Sequence, residues 1–202
     1  MATTKTKKFK VGIIGGAGYT AGELIRILIN HPGVEIGFVH SSSNAGNYLY
    51  DVHEGLFGDT DLKFCDSFDL NSVNVLFLCS AHGKSKEFWQ QNERPKRLKI
   101  IDLAQDFRDE SEAYVYGLPE MQKERIAKAG KIANPGCFAT AIQLVMPITV
   151  PIDSTLASPQ IAWMKITSKM AKHKLKRFIF SPISVKINIR VIYPFCLYTL
   201  YI

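Results

Sequence analysis

The sequence predicts an α/β fold: a doubly wound, mostly parallel sheet with helices on both faces. Three observations predict it. Short apolar runs recur along the first two thirds of the chain, at residues 9–14, 34–39, 73–79, 98–103 and 131–133. Segments with apolar residues at helical spacing lie between several of them. A glycine cluster follows the first run and opens the first helix. Strands alternating with helices argue for a parallel sheet covered on both sides.

The first run, Phe9 to Ile14, ends in Gly15, Gly16, Ala17 and Gly18. Glu23 to Asn30 then reads as a helix that His31-Pro32-Gly33 closes. The spacing Gly15-x-x-Gly18-x-x-Ala21 is a variant of the Rossmann-type dinucleotide fingerprint. Its small residues allow a tight turn, a close approach of backbone to pyrophosphate, and close helix–strand packing. The pyrophosphate would sit on the helix N-terminus. A glycine-rich turn with no ligand has the same local pattern. The second run, Val34 to Val39, leads into His40-Ser41-Ser42-Ser43-Asn44. An NAD site usually carries an acid there for the ribose 2′-hydroxyl. Here no acid repels a 2′-phosphate and three hydroxyls offer donors, so NADP is expected over NAD. The alternative is a polar loop with no part in choosing the cofactor.

Residues 47–68 read as loop. Asp51, His53 and Glu54 do not have the look of a metal site, and no metal is expected. Val73 to Cys79 is a buried strand, and Ser80-Ala81-His82-Gly83 turns at its carboxyl end. His82 is read either as a cofactor or substrate contact or as a cap for the next helix. Leu98 to Leu103 is a further strand, followed by Ala104 to Arg108. Arg108 suits bidentate binding of a phosphate or carboxylate; the alternative is a surface ion pair with Asp106 or Asp109. Tyr116 to Glu120 reads as a turn, Lys123 to Lys128 as a short helix, and Lys131 to Ala133 as a short strand.

That strand delivers Asn134-Pro135-Gly136-Cys137-Phe138-Ala139-Thr140. Pro135 and Gly136 break the chain, and the apolar residues that follow read as a helix running to Pro147. A helix N-terminus carries unpaired N–H groups and partial positive charge, which stabilise a thiolate. Cys137 is therefore a candidate nucleophile, against the alternative of a buried structural cysteine. Cys65 and Cys79 lie in or beside strands and are expected to be shielded. The four cysteines have no CxxC spacing. That pattern excludes a disulfide scaffold or zinc site and fits a reducing cytosol. No signal-peptide core and no long apolar run is found, so neither secretion nor a membrane span is expected.

Charge divides the chain. Residues 1–146 hold 17 Lys and Arg against 17 Asp and Glu, whereas 147–202 hold 8 against the single Asp153. The expected boundary lies near Pro147. It separates a dinucleotide-binding domain at 1–147, ending in the Cys137 helix, from a basic tail at 148–202.

Six motifs stand in order along the first part of the chain. They are residues 15–24 (GGAGYTAGEL), 43–46 (SNAG), 78–83 (LCSAHG), 101–108 (IDLAQDFR), 116–120 (YGLPE) and 134–140 (NPGCFAT). The set resembles the N-acetyl-gamma-glutamyl-phosphate reductases of arginine biosynthesis, within a wider group that includes aspartate-semialdehyde dehydrogenase. The resemblance covers about residues 9–147. It implies an NADP-dependent reduction of an acyl phosphate to a semialdehyde, through a thioester on Cys137. It implies that Arg108 and Asn134 serve the substrate phosphate. It assigns Gly15, Ala17, Gly18, Tyr19, Thr20 and Ala21 to the NADP loop, and Ser41 and Ser43 to the adenosine end. A cytoplasmic homo-oligomer is implied, with no nucleic-acid or membrane partner.

Beyond Pro147 the resemblance stops. The family's α+β catalytic domain, with its glycine-rich substrate loop and general acid/base histidine, is expected to be missing or replaced. His173 sits in a basic run, Lys169 to Arg177, and Val185, Ile187, Ile189 and Val191 alternate as one strand would. The tail reads as a divergent extension or as a misassembled or out-of-frame end. Two other functions stay open: a dinucleotide-binding fragment that does no chemistry, and an interaction protein acting through the basic tail.

Overall fold

The structure, a computed structural model, describes residues 8–137 and 139–141. The elements are β1 (Phe9–Ile14), α1 (Tyr19–Leu28), β2 (Val34–His40), α2 (Leu49–Val52), β3 (Val75–Leu78), α3 (Lys84–Gln91), β4 (Lys99–Asp102), β5 (Val115–Tyr116), α4 (Pro119–Lys128) and β6 (Lys131–Ala133). The strands form one sheet in the order β2-β1-β3-β4-β6-β5. Every neighbouring pair is parallel. This is the doubly wound α/β architecture the alternation predicts.

Two apolar cores flank the sheet, because successive strand residues point to opposite faces. On one face Val11, Ile13, Val39 and Phe77 meet Ala21, Leu24, Ile25 and Leu28. The last four lie three or four residues apart, so they form one stripe along α1. Leu49, Leu56 and Phe64 extend that core from the segment after β2. On the other face Leu76, Leu78 and Ile100 pack with Phe107 and Tyr114, joined by Phe88 and Trp89 of α3. Phe38 leans across β1 on this side, where a Cβ at Gly12 would lie 2.3 Å from its ring. Only a glycine admits that ring.

The chain leaves β1 for β2 on one side and returns to β3 on the other. The reversal opens a crevice between the carboxyl ends of β1 and β3, where ligands of such sheets bind. No described helix is long and apolar enough to cross a membrane.

Several local expectations are corrected. α1 begins at Tyr19, directly after the glycines, and ends at Leu28. The segment expected as loop after β2 contains α2, a 3-10 turn at Glu54–Leu56, and bridges His40–Cys65 and Tyr48–Lys63. Asp51 caps α2 there, accepting from Tyr48 N at 2.8 Å. Residues 116–120 are not a free turn. Tyr116 pairs with Ala133 as the edge strand, and Pro119 starts α4, where a missing N–H costs nothing. The sheet-bearing unit ends at Gly136 and a second unit begins at Cys137. Cys137 and Ala139–Ala141 are helical. The expected end of that helix at Pro147, the boundary there, the basic run, the alternating strand and the fourth cysteine, Cys196, lie outside the described residues.

Candidate functional site

The glycine loop lies at the crevice. Gly15 has φ +77°, and a Cβ on it would come within 2.9 Å of the Cys79 carbonyl at the end of β3. A Cβ on Gly16 would lie 2.2 Å from Val39 Cγ1. Backbone from β1, β2 and β3 therefore converges around two residues that must lack side chains. Gly18 is the N-cap of α1, with no side-chain hydrogen bond to the helix and no acid in its first turn. Gly18, Tyr19 and Thr20 are exposed, Ala17 is half-buried, and Ala21 is buried against the sheet. Among the described residues, no side chain caps this helix N-terminus and no acid in its first turn offsets its partial positive charge. Such a cradle fits a dinucleotide pyrophosphate.

At the end of β2, Ser41 is 6% exposed and Ser43 is exposed. Asn44 Nδ2 donates to Ser41 Oγ at 3.3 Å and Ser43 Oγ at 3.0 Å. The amide gathers both hydroxyls, and Ser41 N is fixed by the Cys65 carbonyl.

The loops after β3 and β4 are laced together. Asp106 Oδ1 accepts from Gly83 N at 2.6 Å, and its Oδ2 from Ser85 N at 2.9 Å and Lys86 N at 3.3 Å. A carboxylate from a different loop thus caps α3. His82, expected as a possible cap for α3, does not serve it: its Nδ1 accepts from Gln105 N at 3.2 Å. Below them lies Asp102, wholly buried. Its Oδ1 accepts from Ser85 Oγ at 2.9 Å and Ala104 N at 2.8 Å. Its Oδ2 has no hydrogen-bond partner among the described residues. Burial pushes the Asp102 carboxyl up to about 6, against the pull of those two donors.

Arg108 is not the surface ion pair that its neighbours Asp106 and Asp109 suggested. Asp106 caps α3, and Asp109 accepts from Ser111 N and Oγ. Arg108 instead donates Nη2 to the Leu103 carbonyl at 3.0 Å and Nε to the Asn134 carbonyl at 2.9 Å. Its guanidinium bridges the exits of β4 and β6. Nη1 faces Gly136, where a Cβ would come within 2.7 Å. Asn134 is buried, its N–H on the Asp102 carbonyl at 2.7 Å and its Nδ2 on the Pro135 carbonyl at 3.1 Å. The segment that leads to Cys137 is therefore held by β4, β6 and Arg108.

Among the described cysteines Cys137 is exposed, whereas Cys65 and Cys79 are half-buried, and all three are free thiols. Burial raises the Cys65 thiol and pushes Cys79 up to about 12.

Two residues of this region were missed by sequence reasoning. The sequence offers Asp106 only as a partner for Arg108. It offers His53 only as part of a loop, yet its Nε2 lies 2.7 Å from the Gly16 carbonyl.

Known proteins place this geometry. The family model for the semialdehyde dehydrogenase NAD-binding domain matches residues 10–129. An N-acetyl-gamma-glutamyl-phosphate reductase of Azobacteroides pseudotrichonymphae is 64% identical over 139 residues, 68% of this chain and 44% of that protein. Its namesake from Phocaeicola vulgatus is 58% identical over 137 residues, 67% of this chain and 42% of that protein. The chain thus spans under half the length of these relatives. Aspartate semialdehyde dehydrogenase II of Vibrio cholerae shares the fold with a TM-score of 0.55 and 20% identity, over 70% of this chain and 46% of that one. The Candida albicans aspartate semialdehyde dehydrogenase solved with NADP gives 0.53 and 16%, over 73% and 49%. The cofactor class that the matched domain serves is a nicotinamide dinucleotide. Glycine cradle, parallel sheet and matched domain agree, and the chain belongs to the semialdehyde dehydrogenase NAD-binding domain family.

Proposed function

We propose that this chain is the cofactor-binding and nucleophile-bearing part of an N-acetyl-gamma-glutamyl-phosphate reductase of arginine biosynthesis, acting in the cytosol with NADP. The observation that carries the reading is the open α1 N-terminus at the crevice, in a chain whose relatives are reductases of that name. The α1 amides and the Gly15–Gly18 backbone hold the pyrophosphate. Ser43, exposed beside Asn44, donates to the 2′-phosphate, while buried Ser41 shapes the turn. His82 borders the same crevice and contacts the cofactor's far half.

The Cys137 thiolate attacks the acyl carbon of the substrate. A C–S bond forms, the C–O bond to phosphate breaks, and phosphate leaves. A bound nicotinamide cofactor, held on the Gly15–Gly18 loop, would supply the hydride that the thioester carbon needs; breaking the C–S bond then regenerates the Cys137 thiolate and releases the semialdehyde. Arg108 and Asn134 serve the leaving phosphate. No carboxylate pairs with Arg108 among the described residues, so its charge is left for an anion. The reducing cytosol suits three unpaired thiols.

The test combines three measurements on the 202-residue chain. NADPH and NADH are titrated side by side; tighter NADPH binding is expected, Ser43→Ala should narrow the gap, and equal affinity overturns the NADP assignment. Brief alkylation at neutral pH, mapped by mass spectrometry, should mark Cys137 ahead of Cys65 and Cys79; an unmodified Cys137 removes the nucleophile. Acyl-phosphate-dependent oxidation of NADPH, lost in Cys137→Ser, would establish turnover. Binding and labelling without turnover would select the alternative, a dinucleotide-binding chain that does no chemistry.

A further inference from the structure

We propose that His53 is a positioning residue for the dinucleotide loop: it fixes the Gly16–Ala17 peptide from outside the βαβ unit. The inference rests on dinucleotide binding at that loop. His53 ends α2, in the excursion between β2 and β3. Leu49 and Leu56, buried on either side of it in sequence, anchor this excursion in the α1 core. His53 N donates to the Leu49 carbonyl, and its own carbonyl accepts from Leu56 N, each at 2.9 Å. The ring is therefore delivered by a fastened segment. It lies tilted against Phe64, with centroids 6.1 Å apart.

The ring reaches the glycine loop in two ways. Nε2 lies 2.7 Å from the Gly16 carbonyl. A carbonyl only accepts, so Nε2 carries the proton and donates. The other edge lies over the first turn of α1, where a Cβ on Gly22 would come within 2.5 Å of Nδ1. Gly22 is thus the space that His53 occupies. Gly16 N is already fixed on the His40 carbonyl at 2.8 Å. With its carbonyl held as well, both peptide units flanking Gly16 are tied. A trans peptide sets N–H opposite C=O. Holding the Gly16 carbonyl toward His53 therefore turns the Ala17 N–H the other way, away from the excursion. That amide has no backbone acceptor among the described loop bonds. It is left as one of the donors a pyrophosphate needs.

The experiment uses the full chain with His53→Ala and His53→Gln, the latter keeping an N–H donor of similar reach. NADPH affinity and amide exchange of residues 16–21 in the free protein are measured together. The expected result is about fivefold or greater loss of affinity and faster loop exchange in His53→Ala, the size of one lost hydrogen bond. His53→Gln should stay within about twofold of the parent on both measures. Gly22→Ala, which displaces the ring, should reproduce the alanine variant. A His53→Ala chain that matches the parent in affinity and exchange overturns the inference, and so does a Gln variant that falls as far as Ala. Should the parent bind no NADPH, the dinucleotide reading fails, while the exchange rates still decide whether His53 braces the loop.

Discussion

Two helices leave the carboxyl edge of the sheet from adjacent strands, and their N-termini are treated in opposite ways. α1 follows β1 and α3 follows β3. At α3 the Asp106 carboxylate takes the amides of Gly83, Ser85 and Lys86. At α1 the cap is Gly18, with no side-chain bond and no acid in the first turn. Each terminus offers the same unpaired N–H groups and the same partial charge. The difference lies in who supplies the anion. α3 takes it from within the chain and so ties two loops together. α1 leaves the place open for a ligand. The contrast is what makes α1, and not α3, the seat of the proposed pyrophosphate.

The comparison breaks most severely at Gly15. Gly15→Ala places a side chain at positive φ and within 2.9 Å of the Cys79 backbone. Left-handed strain and the clash together cost roughly 3 kcal/mol. Neither the β1 nor the β3 backbone can move away without breaking the sheet. Thermal melting should show the loss, and dinucleotide titration should show no saturable binding. A variant with parent-like stability and affinity would mean that the crevice is wider than its backbone indicates.

Asp102 is the next lever, and it acts through pH. It stands behind the capped terminus, holding Ser85 of α3 and Ala104 of the Arg108 loop. Asp106 faces it and raises its pKa, while Arg108 lowers it; burial outweighs both. The folded carboxyl titrates at about 6 against a usual 3.8. Between these values the folded chain binds more protons than the unfolded chain. Stability from this group is therefore fully present below about pH 4 and lost as pH rises through about 6, by at most about 3 kcal/mol. Asp102→Asn removes the titration but keeps an acceptor for Ser85 and Ala104. The variant should gain on the parent between pH 4 and 7.5 in thermal melts. Parallel curves across that range would show that Asp102 is ionised throughout.

How much of this contrast could be read in the sequence follows from where the partners lie. The α1 terminus was legible because Gly15, Gly18 and Ala21 recur every three residues directly after an apolar run. The α3 cap was not, because Asp106 lies twenty or more residues from the amides it serves. Next to Arg108 in sequence, it looked like half of an ion pair. His53 failed for the same reason, since 37 residues separate it from Gly16. β3 shows itself by continuous apolar residues, as a strand buried on both faces does, and β1, β2, β4 and β6 by shorter apolar runs. β5 did not: two residues followed by Gly117 and Pro119 have the chemistry of a turn. α2 spans four residues, too few for any periodicity. For Arg108 the residue type suggests an anion; what the sequence does not show is that its Nε and Nη2 also hold the carbonyls of Asn134 and Leu103.

Removing the internal anion tests the capped side directly. Asp106→Ala leaves the α3 amides without an acceptor and unties the loop that carries Arg108. A cap of this kind is worth about 1–2 kcal/mol. The melting temperature should fall accordingly, and Asp106→Asn, which keeps one acceptor oxygen, should fall less. If alanine and asparagine cost equally little, water replaces the carboxylate at no loss, and the lacing of the two loops contributes nothing.

The smallest effect on stability is the most informative, because its sign opposes its effect on binding. Gly18→Asp gives α1 the anion that α3 already has. The backbone permits it: Gly18 has φ −71° and ψ 151°, the extended conformation of an ordinary N-cap. The space permits it too, since among the described residues a Cβ there meets the Gly15 carbonyl at 3.5 Å and the Cys79 carbonyl at 3.7 Å. An aspartate N-cap in place of glycine should stabilise the helix by only a few tenths of a kcal/mol. The same carboxylate occupies the amides that a pyrophosphate would use and repels its charge. Dinucleotide affinity should therefore fall by about tenfold or more, which is about 1.4 kcal/mol, while the melting temperature stays level or rises. Gly18→Asn, a cap of similar strength without the charge, separates the two causes: repulsion predicts that Asn binds better than Asp, and occupancy alone predicts that they match. A variant that binds NADPH as the parent does would place the pyrophosphate elsewhere on the crevice and end the assignment of α1 as its seat.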